Sequence, residues 1–242
     1  MEPWEFRTDH TRGVDTKRTF IIFCEDGSVE PAYFELFKTQ KVHVSAIPNC
    51  KQHHAQVDIA TEYFRKSGLL VYDETIGREI LKIDDGAQVW CVFDRDKNQG
   101  DDRDTAFNDS IINAESKGIK TAWSNDDFEL WVLLHFEDVD PTQIDYLNRK
   151  YYYSRLTEIL KTLAPEERIF KNPRFDYYST MKSRNLFIRI TYQHMKDKLV
   201  LAIERAKRLE EYHSIPIKPS HLMCPCTKVH HLISQLLEAN SI

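Results

Sequence analysis

Residues 89–102 read VWCVFDRDKNQGDD, a strand-forming run that ends in Asp94 and Asp96, with Asp101 and Asp102 a few positions on in a loop of no assigned role. In extended chain, residues i and i+2 share a face, so Asp94 and Asp96 are expected to converge while Arg95 points away. An earlier run, RTFIIFCEDG (18–27), places Glu25 just past its own apolar residues. If the two strands are neighbours, about 4.8 Å apart, the three carboxylates meet over one point. Carboxylates that close repel by more than about 1 kcal/mol per pair and raise one another's proton affinity unless a cation intervenes. An all-oxygen set suits Mg2+ or Mn2+ rather than Zn2+, the usual setting for phosphoryl transfer or phosphodiester cleavage. A lone DxD also occurs in phosphatases, in sugar-nucleotide transferases and in ordinary loops. The acidic turn after the first strand is what lends this one weight.

The elements that must position these residues follow from local pattern. Strand-type runs cover 18–27, 41–48, 89–93 and 119–124. Between them the spacing predicts helices over 28–40, started by Ser28 with Pro31 in its first turn, and over 55–68, 71–82 and 104–118, the second and last of these closed by Gly68 and Gly118. A helix over 125–136 follows, capped by Asn125 or Asp126. Strands alternating with helices predict an α/β fold, a parallel sheet flanked by helices, with ligands outside the carboxyl ends of its strands. Residues 1–140 are read as this domain. Residues 141–242 are read as a mostly helical, basic region packed on it or standing apart, with helices over 143–163 and 185–213, a proline-rich connector at 215–228 and a last helix from Val229.

The net charge of −5 conceals a split: residues 1–145 hold 16 Lys+Arg against 29 Asp+Glu, whereas residues 146–218 hold 16 against 8. Such asymmetry points to an anionic partner such as nucleic acid, or to solvated helical faces. Within the basic segment, NRKYYYSRL (148–156) interleaves Arg149, Lys150 and Arg155 with three tyrosines, and Arg174, Lys182, Arg184 and Arg189 extend the patch. Cations beside stacking faces suit looped or single-stranded RNA, and a helix packed by its aromatics gives the same string. No stretch approaches the roughly 18 apolar residues of a membrane helix, and the first residues lack signal-peptide order, so a cytoplasmic protein with reduced thiols among its five cysteines is expected. The HLMCPC segment with His221, Cys224, Cys226, His230 and His231 invites a zinc reading, but C-x-C is shorter than the usual C-x2–4-C, and a packed tail is expected. His53 and His54 could aid proton transfer or lie on the surface, and His135 reads as a core residue.

A glutamate after the first strand and a DxD after a later one is the arrangement of TOPRIM domains, and the finer resemblance is to the RloB-like family. That family's C-E-G-x-x-T-E-P-x-Y-F motif is similar to CEDGSVEPAYF (24–34), its V-[FW]-D-x-D strand end to VFDRD (92–96), and its S-N-P-x-F-E-L-W-L-L-L-H-F motif to SNDDFELWVLLHF (124–136). PCTKVHHLISQLL near the end is similar to the family's terminal P-x-T-x-V segment. Asp26 replaces a usual Gly, Ser28 and Val29 replace Lys and Thr, and Asp126 replaces Pro.

The resemblance implies a TOPRIM-like, metal-dependent nuclease of prokaryotic anti-phage defence, the toxic effector of an abortive-infection system with an ABC-like AAA ATPase as partner. It implies RNA such as tRNA as substrate, with DNA as the other choice, and leaves a homodimer open. Carried over residue by residue, Glu25, Asp94 and Asp96 hold Mg2+ or Mn2+. Glu30 orients a ligand, binds a second metal or acts as general base. Glu129 completes the site or merely satisfies a helix N-terminus. Two other readings stay open. One is a regulatory binding subunit whose acidic edge docks on the ATPase. The other is a DxD phosphatase, disfavoured because there the motif follows the first strand.

Overall fold

The computed structural model describes residues 17–48, 54–96 and 102–241. Its centre is a four-stranded, all-parallel sheet in the order β2-β1-β5-β6, formed by β1 (Arg18–Cys24), β2 (Val42–Ile47), β5 (Ala87–Val92) and the short β6 (Lys120–Thr121). Side chains alternate across β1 and β5, and each strand is buried on both faces, as a sheet covered on two sides requires. Phe20, Ile22 and Cys24 with Trp90 and Val92 face one apolar cluster; Ile21 and Phe23 with Val89, Cys91 and Phe93 face the other. The second face is covered by α2 (His54–Lys66) and α3 (Asp102–Ser116) through Val57, Phe64, Phe107 and Ile111. The fold class expected from the alternation, a parallel sheet flanked by helices and followed by a helical C-terminal part, is the one observed.

The first face is covered by α1 (Val29–Glu35), α4 (Glu129–Leu134) and the C-terminal helices, which run from α5 (Arg149–Leu163) through the short α6 (Tyr177–Thr180), α7 (Arg184–Leu186) and α8 (Tyr192–Met195) to α9 (Leu199–Ser214) and α10 (Val229–Ser241). Tyr33, Trp131, Tyr152, Leu156, Ala202, Leu232 and Leu236 belong to one apolar cluster with the sheet, so a single core runs across position 140. No helix among the described residues is long and apolar enough to cross a membrane.

Four expectations about elements are corrected. Residues 71–82 form no helix but a hairpin, β3 (Leu70–Asp73) paired antiparallel with β4 (Arg78–Leu81). Asp73 accepts the Thr75 amide at 2.9 Å and Gly77 turns the chain at φ 68°, a turn chemistry that overrides the helical spacing. The strand expected at 119–124 divides: Lys120 and Thr121 pair with β5, while β7 (Ser124–Asn125) pairs antiparallel with β8 (Cys226–Thr227). Consequently the following helix starts at Glu129 rather than behind Asn125 or Asp126, because Asn125 is drawn into β7 and its amide donates to the Ser220 and His221 carbonyls. The helix expected over 185–213 is interrupted by a π turn at Phe187–Thr191 and a 3-10 turn at Lys196–Lys198 before α9.

Candidate functional site

The parallel register brings the ends of β1 and β5 together. Cys24 pairs with Val92, the Glu25 amide continues the ladder to the Val92 carbonyl at 3.1 Å, and Glu25 Oε2 accepts the Asp94 amide at 2.9 Å. Glu25 and Asp94 are therefore brought side by side across neighbouring strands. Asp96 follows a different course. The strand ends at Val92 and Asp96 adopts φ 51°, so the extended geometry that would align it with Asp94 does not reach it. Its Oδ1 instead lies 2.5 Å from Nη1 of Arg149. Among the described residues, Glu25, Asp94 and Asp96 are not a set whose oxygens all approach within 4.8 Å. Arg95 points away as expected, donating to Asp104 at 2.7 and 3.0 Å.

The turn after β1 is organised by Asp26. Its carboxylate accepts from the Val29 amide and, at 3.4 Å, from the Glu30 amide, and Glu30 Oε2 accepts the Asp26 amide at 3.1 Å. This reciprocal pairing does the work of a capping box, one residue longer than the usual spacing. Ser28, the expected cap, makes no side-chain capping bond. The consequence is that Glu30 is held inward and buried at the start of α1.

Two residues that the sequence did not mark as site candidates enlarge the cluster. Asp126 and Asp127 precede α4, both buried, with Glu129 buried beside them. Arg149, the first residue of α5, donates to Asp126 through Nε at 3.0 Å and Nη2 at 2.6 Å, and Tyr153 donates its hydroxyl to Asp127. Lys182 Nζ lies 3.1 Å from Glu129 Oε1 and over the rings of Tyr153 and Tyr178. Glu25, Glu30, Asp94, Asp96, Asp126, Asp127 and Glu129 thus share a region in which the cations found among the described residues are Arg149 and Lys182. Both were read from sequence as part of the basic patch.

That imbalance is visible in proton affinity. Burial, then Glu25, Asp26 and Glu129, pushes the Glu30 carboxyl well above the usual carboxylate range. Asp94 is raised by burial and by Glu30, Glu25 and Asp127, with Arg149 opposing. Asp127 is raised by burial and Glu129, with Lys182, Arg149 and the Tyr153 hydroxyl opposing. Burial alone would lower Lys182, but Glu129, Asp127 and Asp94 outweigh it and hold the ammonium above its ordinary value. Three buried carboxyls that resist ionisation mark a place that would accept further positive charge.

The remaining basic candidates lie elsewhere. Arg155 pairs with Glu137 at 2.6 Å and with Glu158; Arg184 pairs with Glu35 and Arg189 with Glu167, each at 2.9 Å. Lys150 and Arg174 are exposed. Lys150 lines a cleft of about 770 Å3 with Arg149, Tyr153, Lys161 and Tyr178, and Arg149 and Tyr153 are also what joins this cleft to the carboxylates. Tyr178 presents a ring that is 57% exposed.

His135 is a core residue, its Nδ1 2.9 Å from the Trp131 carbonyl. Cys224 and Cys226 are buried in the tail, and burial pushes the Cys226 thiol up to about 12. His221 is engaged by Asn108 at 2.7 Å. His53, the side chain of His54, and Asp101 lie outside the described residues.

Among known families, the model described as RloB-like protein matches residues 20–236 of this chain. No curated protein and no solved structure matches it.

Proposed function

The chain belongs to the RloB-like family, and on that footing we propose that it is a divalent-metal-dependent nuclease acting on phosphodiesters, with RNA such as tRNA as the favoured substrate. The observation that carries the reading is the concentration of buried and half-buried carboxylates past the carboxyl ends of β1 and β5, in excess of the cations among the described residues, where open α/β sheets bind ligands.

The donor set fits Mg2+ or Mn2+. Every candidate ligand is a carboxylate oxygen, and Asp127 Oδ1 and Glu129 Oε2 are buried with no hydrogen-bond partner among the described residues. Glu25, Asp94 and Asp96 are the ligands the family resemblance implies, with Asp127 and Glu129 close enough to Asp94 and Glu30 to join them. The ion would supply Lewis-acid polarisation of a phosphate oxygen when bound. Glu30, whose proton affinity is raised by its neighbours, is the group suited to take up a proton during attack. Arg149 and Lys182 are placed to meet the charge of a phosphate as it approaches the carboxylates. The adjoining cleft, with Lys150 at its rim and the Tyr178 ring exposed, suits a nucleotide flanking the cleaved bond.

Burial of Glu30, Asp126, Asp127 and Glu129 favours chemistry over an acidic docking surface for a partner ATPase. The role of toxic effector beside an ABC-like AAA ATPase extends the same reading. Purified protein is expected to cut tRNA in Mg2+ or Mn2+ and to lose that activity in EDTA. Inertness toward tRNA, unstructured RNA and duplex DNA alike, with and without the ATPase, would overturn it.

A further inference from the structure

Away from the carboxylate cluster, α9 and α10 bring Glu210, His230 and His231 together. Among the described residues this is the one group of three His, Cys, Asp or Glu side chains whose donor atoms all lie within 4.8 Å of one another. Nε2 of each ring stands 2.9 Å from Glu210 Oε2, and the ring centroids are 4.2 Å apart.

The hydrogen bonds of His230 do not close. Its Nδ1 lies 3.0 Å from the Thr227 carbonyl oxygen, which can only accept, so Nδ1 carries the proton. In the neutral ring Nε2 is then a lone pair, fully buried and facing a carboxylate oxygen, and among the described residues it has no hydrogen-bond partner. A metal ion held between Nε2 and Oε2 relieves the opposed lone pairs.

We propose that Glu210, His230 and His231 form a Zn2+ site, distinct from the carboxylate cluster and independent of the nuclease reading. Two imidazole nitrogens and one carboxylate oxygen are a zinc donor set, and a hard ion such as Mg2+ has no preference for it. The surroundings support the ligands. Lys228 holds Glu210 Oε1, leaving Oε2 for the metal, and the Thr227 carbonyl fixes the His230 tautomer that exposes Nε2. Lys228 and the positive end of α10 work against any cation held by charge alone, which further favours an ion that bonds to imidazole. The His231 side chain is half exposed and lines a cavity of about 560 Å3, which leaves the fourth coordination position open to water. The site ties the start of α10 to α9.

The test is titration of the full-length protein with ZnCl2, followed by calorimetry and thermal unfolding, with Co2+ as a spectroscopic probe. One equivalent of Zn2+ is expected to bind and raise the melting temperature. Excess Mg2+ and the Asp94→Asn substitution leave that binding unchanged, whereas His231→Ala and Glu210→Gln each weaken it at least about tenfold. His231 is half exposed, so its loss leaves no buried cavity, and circular dichroism verifies the fold. Absence of a stoichiometric Zn2+ site in the wild type, unchanged affinity in both variants, or a Co2+ thiolate charge-transfer band from Cys224 and Cys226 would each overturn the proposal.

Discussion

Arg149 Nη1 lies 2.5 Å from Asp96 Oδ1, although the two residues are more than fifty positions apart and belong to segments of opposite net charge. The same guanidinium grips Asp126 in two places, so the first residue of α5 clamps the chain leaving β5 to the chain entering α4. In this arrangement Arg149 acts as an internal counter-ion of the carboxylate cluster.

Replacing Arg149 with Met should therefore leave buried carboxylates uncompensated. Removing one partner from a buried ion pair costs about 3–5 kcal/mol. Urea denaturation in EDTA should show a loss of that order, with part of it recovered in millimolar Mg2+ as the added cation takes over the compensation. A loss below about 1 kcal/mol would mean that the clamp contributes little.

Asp94 should behave in the opposite sense. Its side chain is opposed by burial and by Glu30, Glu25 and Asp127, while the bond that ties this point to β1 runs from its backbone amide to Glu25. Asp94→Asn keeps that bond and removes one repelling charge. The variant is expected to be at least as stable as the wild type by thermal unfolding, yet inactive toward tRNA in Mg2+. Retained cleavage would take Asp94 out of the chemistry.

The raised carboxyls also set a pH dependence. Glu30, Asp94 and Asp127 have folded-state proton affinities above their unfolded ones, so the folded chain binds more protons than the unfolded chain above about pH 4. Their contribution is complete below the unfolded values and is lost as pH rises through the folded ones. In EDTA the urea midpoint should decline with rising pH on the alkaline side of about 6.5, where unperturbed histidines are already neutral. Asp127→Asn should flatten the decline, and Mg2+ should reverse it; a midpoint that climbs over this window would contradict the assignment.

His135 acts at the other end of the scale. Burial lowers its imidazole from the usual 6.5 to about 4, so the ring is neutral in the fold and charged in the unfolded chain between those values. Stability present above about pH 6.5 is lost as pH falls toward 4, by about 3 kcal/mol for this ring. The ring protons should titrate near pH 4 by NMR, and His135→Leu should soften the acid limb of the urea profile.

What could be read in advance divides along a physical line. Glu25 and Asp94 were legible because each follows a short buried strand, and a parallel sheet brings such ends together whatever the details of packing. Residues 71–82 were misread because the deciding features were a side-chain turn at Asp73 and a left-handed Gly77, which outweigh helical spacing. The buried places of Asp126 and Asp127 depend on β7 pairing with β8, about a hundred residues further on, and local pattern carries no trace of that. Arg149 and Lys182 were visible as charges, but only tertiary contact turns two members of a basic patch into counter-ions. Glu210 was unmarked for the same reason: its histidine partners lie on another helix.

The cleft beside Arg149 separates recognition from chemistry, and it can be tested without touching the carboxylates. Tyr178 presents an exposed ring and Lys150 an exposed ammonium on its lining. If a base stacks on the ring, Tyr178→Ala should weaken binding of a short single-stranded RNA by about 1–3 kcal/mol, and Tyr178→Phe should restore most of it, since stacking needs the ring and not the hydroxyl. If Lys150 meets a phosphate, Lys150→Ala should weaken binding to all sequences alike and reduce the slope of log affinity against log salt by about 0.7. Fluorescence anisotropy in Ca2+, with cleavage suppressed, reads both quantities. A Tyr178→Phe variant as weak as Tyr178→Ala, with a salt slope unmoved by Lys150→Ala, would place the nucleic acid on another face.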